Sequence, residues 1–263
     1  DALLHSAGSK KSVSLEIKCA VKAIEQTSEK VYIRFANTKK ITSKFVVLAD
    51  GANSSTARML GVPILKVQKA LWGINSILDG SFRTTSNAVS VILKNNYEIY
   101  CTPVGDSRLN ISILGDPKII NKISDSQYFT GLLDEASEEI GFSISSALTR
   151  QGIGPIGHIQ RASSHGRALL VGDACESMDP IGGMGMTHAI LSAQSATGVL
   201  YDSLHCKNFE GNFKKYGKER ESKIRPLRGF TRLTKLTLRG DVKSSALDLI
   251  SRSSLSGNLR DTL

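Results

Sequence analysis

The sequence predicts an α/β fold: a strand-and-helix domain interrupted by an inserted, mainly antiparallel β-sheet and closed by C-terminal helices. Three observations lead there. Short apolar strands that end in Asp-Gly or Gly-Asp and run into helices occur on both sides of the chain's middle, at 46–60 and 168–204. Between them, from Val67 to about Leu114, long strand-like runs follow one another with little helix. From residue 185 onward the pattern is helical almost to Arg239.

At 263 residues with 40% hydrophobic content, the chain is large enough for a substantial core, which sets aside a disordered class. The cysteines Cys19, Cys101, Cys175 and Cys206 are widely spaced, so neither a disulfide framework nor a metal site is indicated, and a reducing, cytoplasmic setting is expected. No apolar run approaches the roughly 20 residues that span a bilayer, and the start lacks the layout of a secretory signal. The net charge of +10 is concentrated: from Lys207 to Arg239 eleven Lys or Arg stand against three Glu, a balance of +8. One local basic helical stretch speaks against a nucleic-acid protein with cations spread over a whole face.

In chain order, residues 1–8 read as the end of a helix stopped by Gly8. Segments 13–25, 30–36 and 42–49 read as strands, the last closing on Asp50-Gly51, and a short helix follows from Ser54 to Leu60. An amphipathic helix is expected over Asp125–Ile140. The segment "GIGPIGHIQR" then brings the chain back to "RALLVGDA". Residues 185–204 and 208–239 read as helices, with a break expected at Pro226 and Gly229. Residues 1–65 and 151–206 are thereby assigned to one discontinuous domain, 66–150 to the inserted sheet, and 207–263 to the basic C-terminal segment.

The stretch "GDACESMDPIGGMGMTHAILSAQ", from Gly172 to Gln194, carries the clearest chemistry. A strand ending in Gly-Asp can aim a carboxylate at a pair of hydroxyls, because Gly172 has no side chain to block close approach. Asp173 then acts as an anchor. Pro180 stiffens the entry, Gly182, Gly183 and Gly185 let backbone approach a flat ligand, and the helix starting near Met186 turns its positive end to the same place.

At these residues the chain resembles the FAD-dependent monooxygenases and related oxidoreductases of the para-hydroxybenzoate hydroxylase and geranylgeranyl reductase type. Gly172, Asp173, Ala174, Pro180, Gly182 and Gly185 match the family's late motif in order and spacing, and "GGMGMT" is also similar to squalene epoxidases. The resemblance implies that Asp173 contacts the ribityl or ribose part of FAD, while the loop through Met186 and Thr187 lies against the isoalloxazine. "VVLADGANSSTARMLG" resembles the family's mid-chain motif, making Asp50, Gly51, Ser54 and Arg58 candidates near the FAD diphosphate; Arg58 stands one place later than in many hydroxylases. Glu176 and Thr187 stand where many hydroxylases carry His or a small residue, and Asn. The family's opening G-x-G-x-x-G within a βαβ unit of about 30 residues has no counterpart, the nearest stretch being "GIGPIGH" at 152–158, so the sequence reads as an N-terminally truncated member.

The function so implied is flavin-dependent monooxygenation of an apolar or aromatic small molecule, with NAD(P)H as electron donor and the flavin itself carrying the chemistry. A reductase of isoprenoid alkenes is the alternative within enzymes, and a non-catalytic relative that binds a lipid or partner is the alternative outside them. No side chain stands out as a general base; His188 reads as packed or capping, and His158 and His165 as surface or loop residues. Trp72, Tyr97 and Tyr100 are candidate substrate-lining residues. The C-terminal run, with Phe213, Tyr216, Ile224, Leu227, Phe230, Leu233 and Leu236 among its cations, reads as amphipathic helix closing the domain, or as a peripheral membrane or carrier contact.

Overall fold

Two three-residue strands, more than a hundred residues apart in sequence, supply the parallel pairing around which the rest of the chain is arranged. The computed structural model describes residues 2–83, 88–157, 159–206 and 208–239. Helix α1 (Ala2–Gly8) precedes an antiparallel meander of β1 (Val21–Gln26), β2 (Val31–Phe35) and β3 (Lys40–Ser43). The strand expected from residue 13 begins only at Val21. Val13, Leu15 and Ile17 are exposed, and without a partner strand in register alternation alone does not make a ladder. Next come β4 (Val46–Leu48), α2 (Ser55–Met59) and β5 (Ile64–Val67).

The inserted sheet is built on β6 (Leu71–Phe82), which is long enough to serve several partners. With β7 (Ser90–Leu93), β8 (Tyr97–Pro103), β9 (Arg108–Gly115) and β10 (Phe142–Ala147) it forms the order β10-β6-β9-β8-β7, every pair antiparallel. Strand β11 (Gln151–Ile156) also pairs β6, so the sheet extends past residue 150. Helices α3 (Pro117–Ile123) and α4 (Ser126–Glu139) cover one face, and Leu78, Ile99, Leu109, Ile111 and Ile113 meet Phe129, Leu132 and Leu133 there. Asp116 and Asp125 cap the two helices through their side chains, and Pro117 suits the first turn of α3, where its missing N–H costs nothing.

The chain then returns. Strand β12 (Ile159–Arg161) pairs β5, and β13 (Ser164–His165) pairs β14 (Ala168–Leu170). Strand β14 lies parallel to β4, with Leu48 opposite Leu170. The last elements are α5 (Gly172–Cys175), a single 3-10 turn at Pro180–Gly182, α6 (Gly185–Leu204) and α7 (Glu210–Arg239).

Helix α7 corrects one expectation: it runs unbroken through Pro226 and Gly229. An interior proline costs about 3 kcal/mol through its lost hydrogen bond and ring clash. Here the turns on either side are pinned by buried Ile224 and Thr231 and by Arg228 gripping Glu176, while Pro226 itself faces solvent. The same helix buries Phe213 and Tyr216 against Leu169, Val171, Ala196 and Val199. The Tyr216 hydroxyl, wholly buried, donates to the Leu170 carbonyl at 2.6 Å.

Tyr216→Phe keeps the packing and deletes only that bond. It is expected to lower stability by about 1–2 kcal/mol. Urea unfolding should show a lower midpoint with an unchanged slope; a midpoint equal to the parent's would mean that α7 is not held to β14 through this bond.

Candidate functional site

Because β4 and β14 are parallel neighbours, the segments that follow them leave the same edge of the sheet side by side. The Val171 N–H donates to the Leu48 carbonyl at 3.1 Å, carrying the pairing to the point where both chains turn away. The crevice outside the carboxyl ends of parallel strands is where open α/β sheets bind ligands. Asp50 and Asp173, predicted from separate motifs, are brought to this one edge.

Sequence reading missed the side chain that latches the two loops together. Arg161, 8% exposed, donates from one guanidinium nitrogen to the Ala174 carbonyl at 2.9 Å and from another to the Ala52 carbonyl at 2.8 Å. No motif marks it, since its two partners lie 13 and 109 residues away.

Within the first loop the Asp50 carboxylate is already engaged. It accepts from the Ser54 hydroxyl, from the Thr56 N–H at 3.1 Å and from the Thr56 hydroxyl at 2.9 Å. Burial works to raise its pKa, but these hydrogen bonds outweigh it and hold the group below the ordinary 3.8. Ser54 caps α2 by accepting from the Ala57 N–H, and Gly51 turns the chain with φ +80°. Arg58 donates to the Asn53 carbonyl at 3.2 Å, so it closes its own loop. Asp50, Ser54 and Arg58 therefore hold their own loop in shape.

In the second loop the glycines divide into two kinds. Gly172, at φ +53°, donates its N–H to the buried Ser192 hydroxyl at 2.8 Å, and a Cβ there would stand 3.2 Å from Ala189. Gly182 lies beneath α7, and a Cβ on it would come within 2.3 Å of the Thr231 hydroxyl. The missing side chains of these two glycines make room for helices α6 and α7. Gly183, in the left-handed region at φ +62°, and Gly185 have open space around them, and they lie with Met186 and Thr187 on the exposed side of the loop. Pro180 opens the 3-10 turn, capped by Asp179, which also holds Lys235 at 2.9 Å. Ala174 is fully buried, whereas Asp173, just past the carboxyl end of β14, keeps 46% of its side chain exposed; partial burial raises its pKa above 3.8.

Beneath this loop lies a charge cluster. Glu176 is fully buried and accepts from Arg220 at 2.9 Å and from Arg228 at 2.8 and 3.0 Å. Burial works to raise its pKa, but the two guanidiniums hold it below 4.5. Arg220 also stands 2.9 Å from Nε2 of His188, which is fully buried as expected of a packed residue. Burial, reinforced by Arg220, pushes the His188 pKa down to about 4.

A cavity of about 530 Å³ opens beside the Pro180 turn. Leu71, Ile119, Ile156 and Pro180 give it apolar walls, and the ion pairs Lys69–Asp116 and Lys235–Asp179, with Lys118, give it a charged part. Trp72, Tyr97 and Tyr100 are not among its lining residues. Tyr100 instead lies on the sheet face opposite α4, where its hydroxyl donates to Glu98 at 2.7 Å; on the same face Asn75 donates to Asn110 at 2.6 Å and to Ser112 at 2.8 Å. His158 falls outside the described residues.

A family model described as FAD binding domain matches residues 1–227. The tetracycline destructase Tet(51) aligns with a TM-score of 0.67 at 17% identity, covering 92% of this chain and 67% of that one. PqsL from Pseudomonas aeruginosa, a probable FAD-dependent monooxygenase, aligns at 0.68 and 18%, covering 89% and 68%. OxyS anhydrotetracycline hydroxylase from Streptomyces rimosus aligns at 0.66 and 17%, covering 91% and 49%. The chain thus spans about half to two thirds of the length of these structures, and the likeness is one of fold.

The buried cluster yields a test of its own. Glu176→Gln leaves Arg220 inside without a countercharge and is expected to cost about 3–5 kcal/mol at neutral pH. Because the folded pKa of Glu176 is depressed, its contribution is complete above pH 4.5 and fades as pH falls through the lowered value. His188 acts earlier: the unfolded chain takes up its proton below pH 6.5 and the folded chain only near 4, so stability falls as pH drops between them. Asp173, shifted upward, works in the opposite sense, its contribution fading as pH rises above 3.8. Denaturation midpoints measured from pH 7 to 4 should decline in the parent and much less in His188→Leu; parallel profiles would exclude His188 as their source.

Proposed function

The chain belongs to the FAD binding domain family, and from that premise we propose that it forms the flavin- and substrate-holding part of an FAD-dependent monooxygenase. One observation carries the reading: two loops leave the carboxyl ends of adjacent parallel strands, are latched by Arg161, and present Asp173 beside an open, glycine-lined helix start. In this reading Asp173 accepts hydrogen bonds from the polyol part of FAD. The free N–H groups of Gly185, Met186 and Thr187 at the start of α6 face the electron-rich edge of the ring, where the helix end favours negative charge. When bound, FAD supplies the redox chemistry, with NAD(P)H proposed as the electron donor. The protein contributes orientation and the exclusion of water.

The cavity beside Pro180 is proposed as the substrate's place. Its apolar walls suit the apolar or aromatic substrate inferred from the sequence, and the lysines beside them suit one that also carries a polar or acidic group. The names of OxyS and PqsL support hydroxylation ahead of alkene reduction. The two differ in the co-substrate consumed: a hydroxylase takes up oxygen with NAD(P)H, and a reductase saturates its alkene anaerobically.

Calorimetric titration of FAD into the chain tests the cofactor site. Binding is expected to weaken about 10- to 100-fold in Asp173→Ala, the scale of losing one or two hydrogen bonds to a charged acceptor. Equal heats in both proteins would remove Asp173 from the site.

A second reading concerns the outer face of α7, and one observation favours it. Lys215 and Lys218 share that face with Leu233 and Leu236, which are 60% and 59% exposed. A cationic and apolar surface of this kind suits peripheral contact with an anionic lipid surface. Among the described residues, no helix is long and apolar enough to cross a membrane. Cosedimentation with phosphatidylserine vesicles is expected for the parent and not for the triple variant Lys214→Glu, Lys215→Glu, Lys218→Glu. Equal sedimentation of the two proteins would leave the face a solvated one.

A further inference from the structure

His188 is one turn into α6, with its N–H donating to the Met184 carbonyl at 2.9 Å and its ring wholly buried. The charged groups around the ring are Arg220 and Arg228 from α7, Glu176 from the loop after α5, and Asp173 from α5 itself. Arginine has only donors, so the 2.9 Å contact between Arg220 and Nε2 makes Nε2 an acceptor. A ring that accepts at Nε2 and is neutral, as its depressed pKa requires near pH 7, carries its proton on Nδ1. Among the described residues that Nδ1 has no hydrogen-bond partner, and the Asp173 carboxylate stands 4.0 Å from it. A buried donor left unmatched keeps its desolvation penalty, so there is a standing drive to close this gap. Asp173, whose side chain is 46% exposed, is the carboxylate 4.0 Å away that can accept from it.

We propose that His188 is a positioning residue: its Nδ1–H donates to one oxygen of Asp173, fixing the carboxylate so that the other oxygen faces the hydroxyls of the bound cofactor. Arg220, itself held by Glu176, sets the tautomer that makes this donation possible. The chain of contacts therefore runs from α7 through α6 to the site: Glu176 to Arg220, Arg220 to His188, and His188 to Asp173. The inference rests on the reading of Asp173 as a cofactor anchor given above.

Two measurements test it, one with FAD and one without. In calorimetric titrations His188→Leu, which fills the space but donates nothing, is expected to weaken FAD binding about 5- to 20-fold. His188→Asn, whose amide nitrogen can take the place of Nδ1, should recover most of that loss. Added to Asp173→Ala, His188→Leu should cost nothing further, because the carboxylate it serves is gone. An equal loss in both backgrounds would overturn the proposal, since it would mark a merely structural role. The second measurement follows the Asp173 carboxyl by 13C NMR through a pH titration of the unliganded chain. Losing the donor in His188→Leu should raise the midpoint by about one unit, and His188→Asn should restore it. An unchanged midpoint overturns the proposal whether or not FAD binds, whereas a moved midpoint in a chain that takes up no FAD would count against the cofactor reading alone.

Discussion

The carboxylate of Glu176 has no access to water and is matched by two arginines from a single helix. Several kcal/mol of desolvation per ion oppose such an arrangement, and it persists only when geometry and hydrogen bonding are nearly complete. Here they are: both carboxylate oxygens are engaged, and Arg228 continues outward to Glu221 at 2.8 and 3.0 Å. The consequence is positional. Glu176 follows the Gly172–Cys175 turn directly, so α7 cannot shift along its axis without stripping a buried charge, and the candidate site inherits that rigidity.

A second constraint acts from the other side. The parallel pair of β4 and β14 is only three residues long, too short to hold two loops in a fixed relation unaided. Arg161 adds two carbonyl contacts across the gap, and Tyr216 ties β14 to α7 from behind. The site is thus assembled from segments that are distant in sequence and joined by donors aimed at backbone carbonyls. Such joints depend on the path of the main chain more than on the identity of the residues they touch.

This explains what sequence reading could reach. The two motif loops, the 20-residue α6 and the strands of the inserted sheet were legible because their signals are local: alternation, caps, and glycine beside proline. Asp116-Pro117 carried a local signal for α3 that the reading passed over. Arg161, Ser192 and the Glu176–Arg220–His188 chain were not legible, since each depends on a partner 13 to 109 residues away. Pro226 misled because its intrinsic cost is a local quantity, whereas the buried contacts that outweigh it come from tertiary packing. Gly182 shows a different limit. Its need for an absent side chain was read correctly, but the neighbour that imposes the need is a helix.

That last contact has an evolutionary consequence. With Thr231 filling the space that a side chain on Gly182 would need, the volumes at these two positions are complementary, and neither can grow unless the other shrinks or the helix moves. Since the helix is anchored by Glu176, the adjustment has to be made in side-chain size. Sequences that keep this anchoring should vary at 182 and 231 together, as a matched steric pair, although one position lies in the loop most diagnostic of the fold and the other in a helix whose surface looks free to drift.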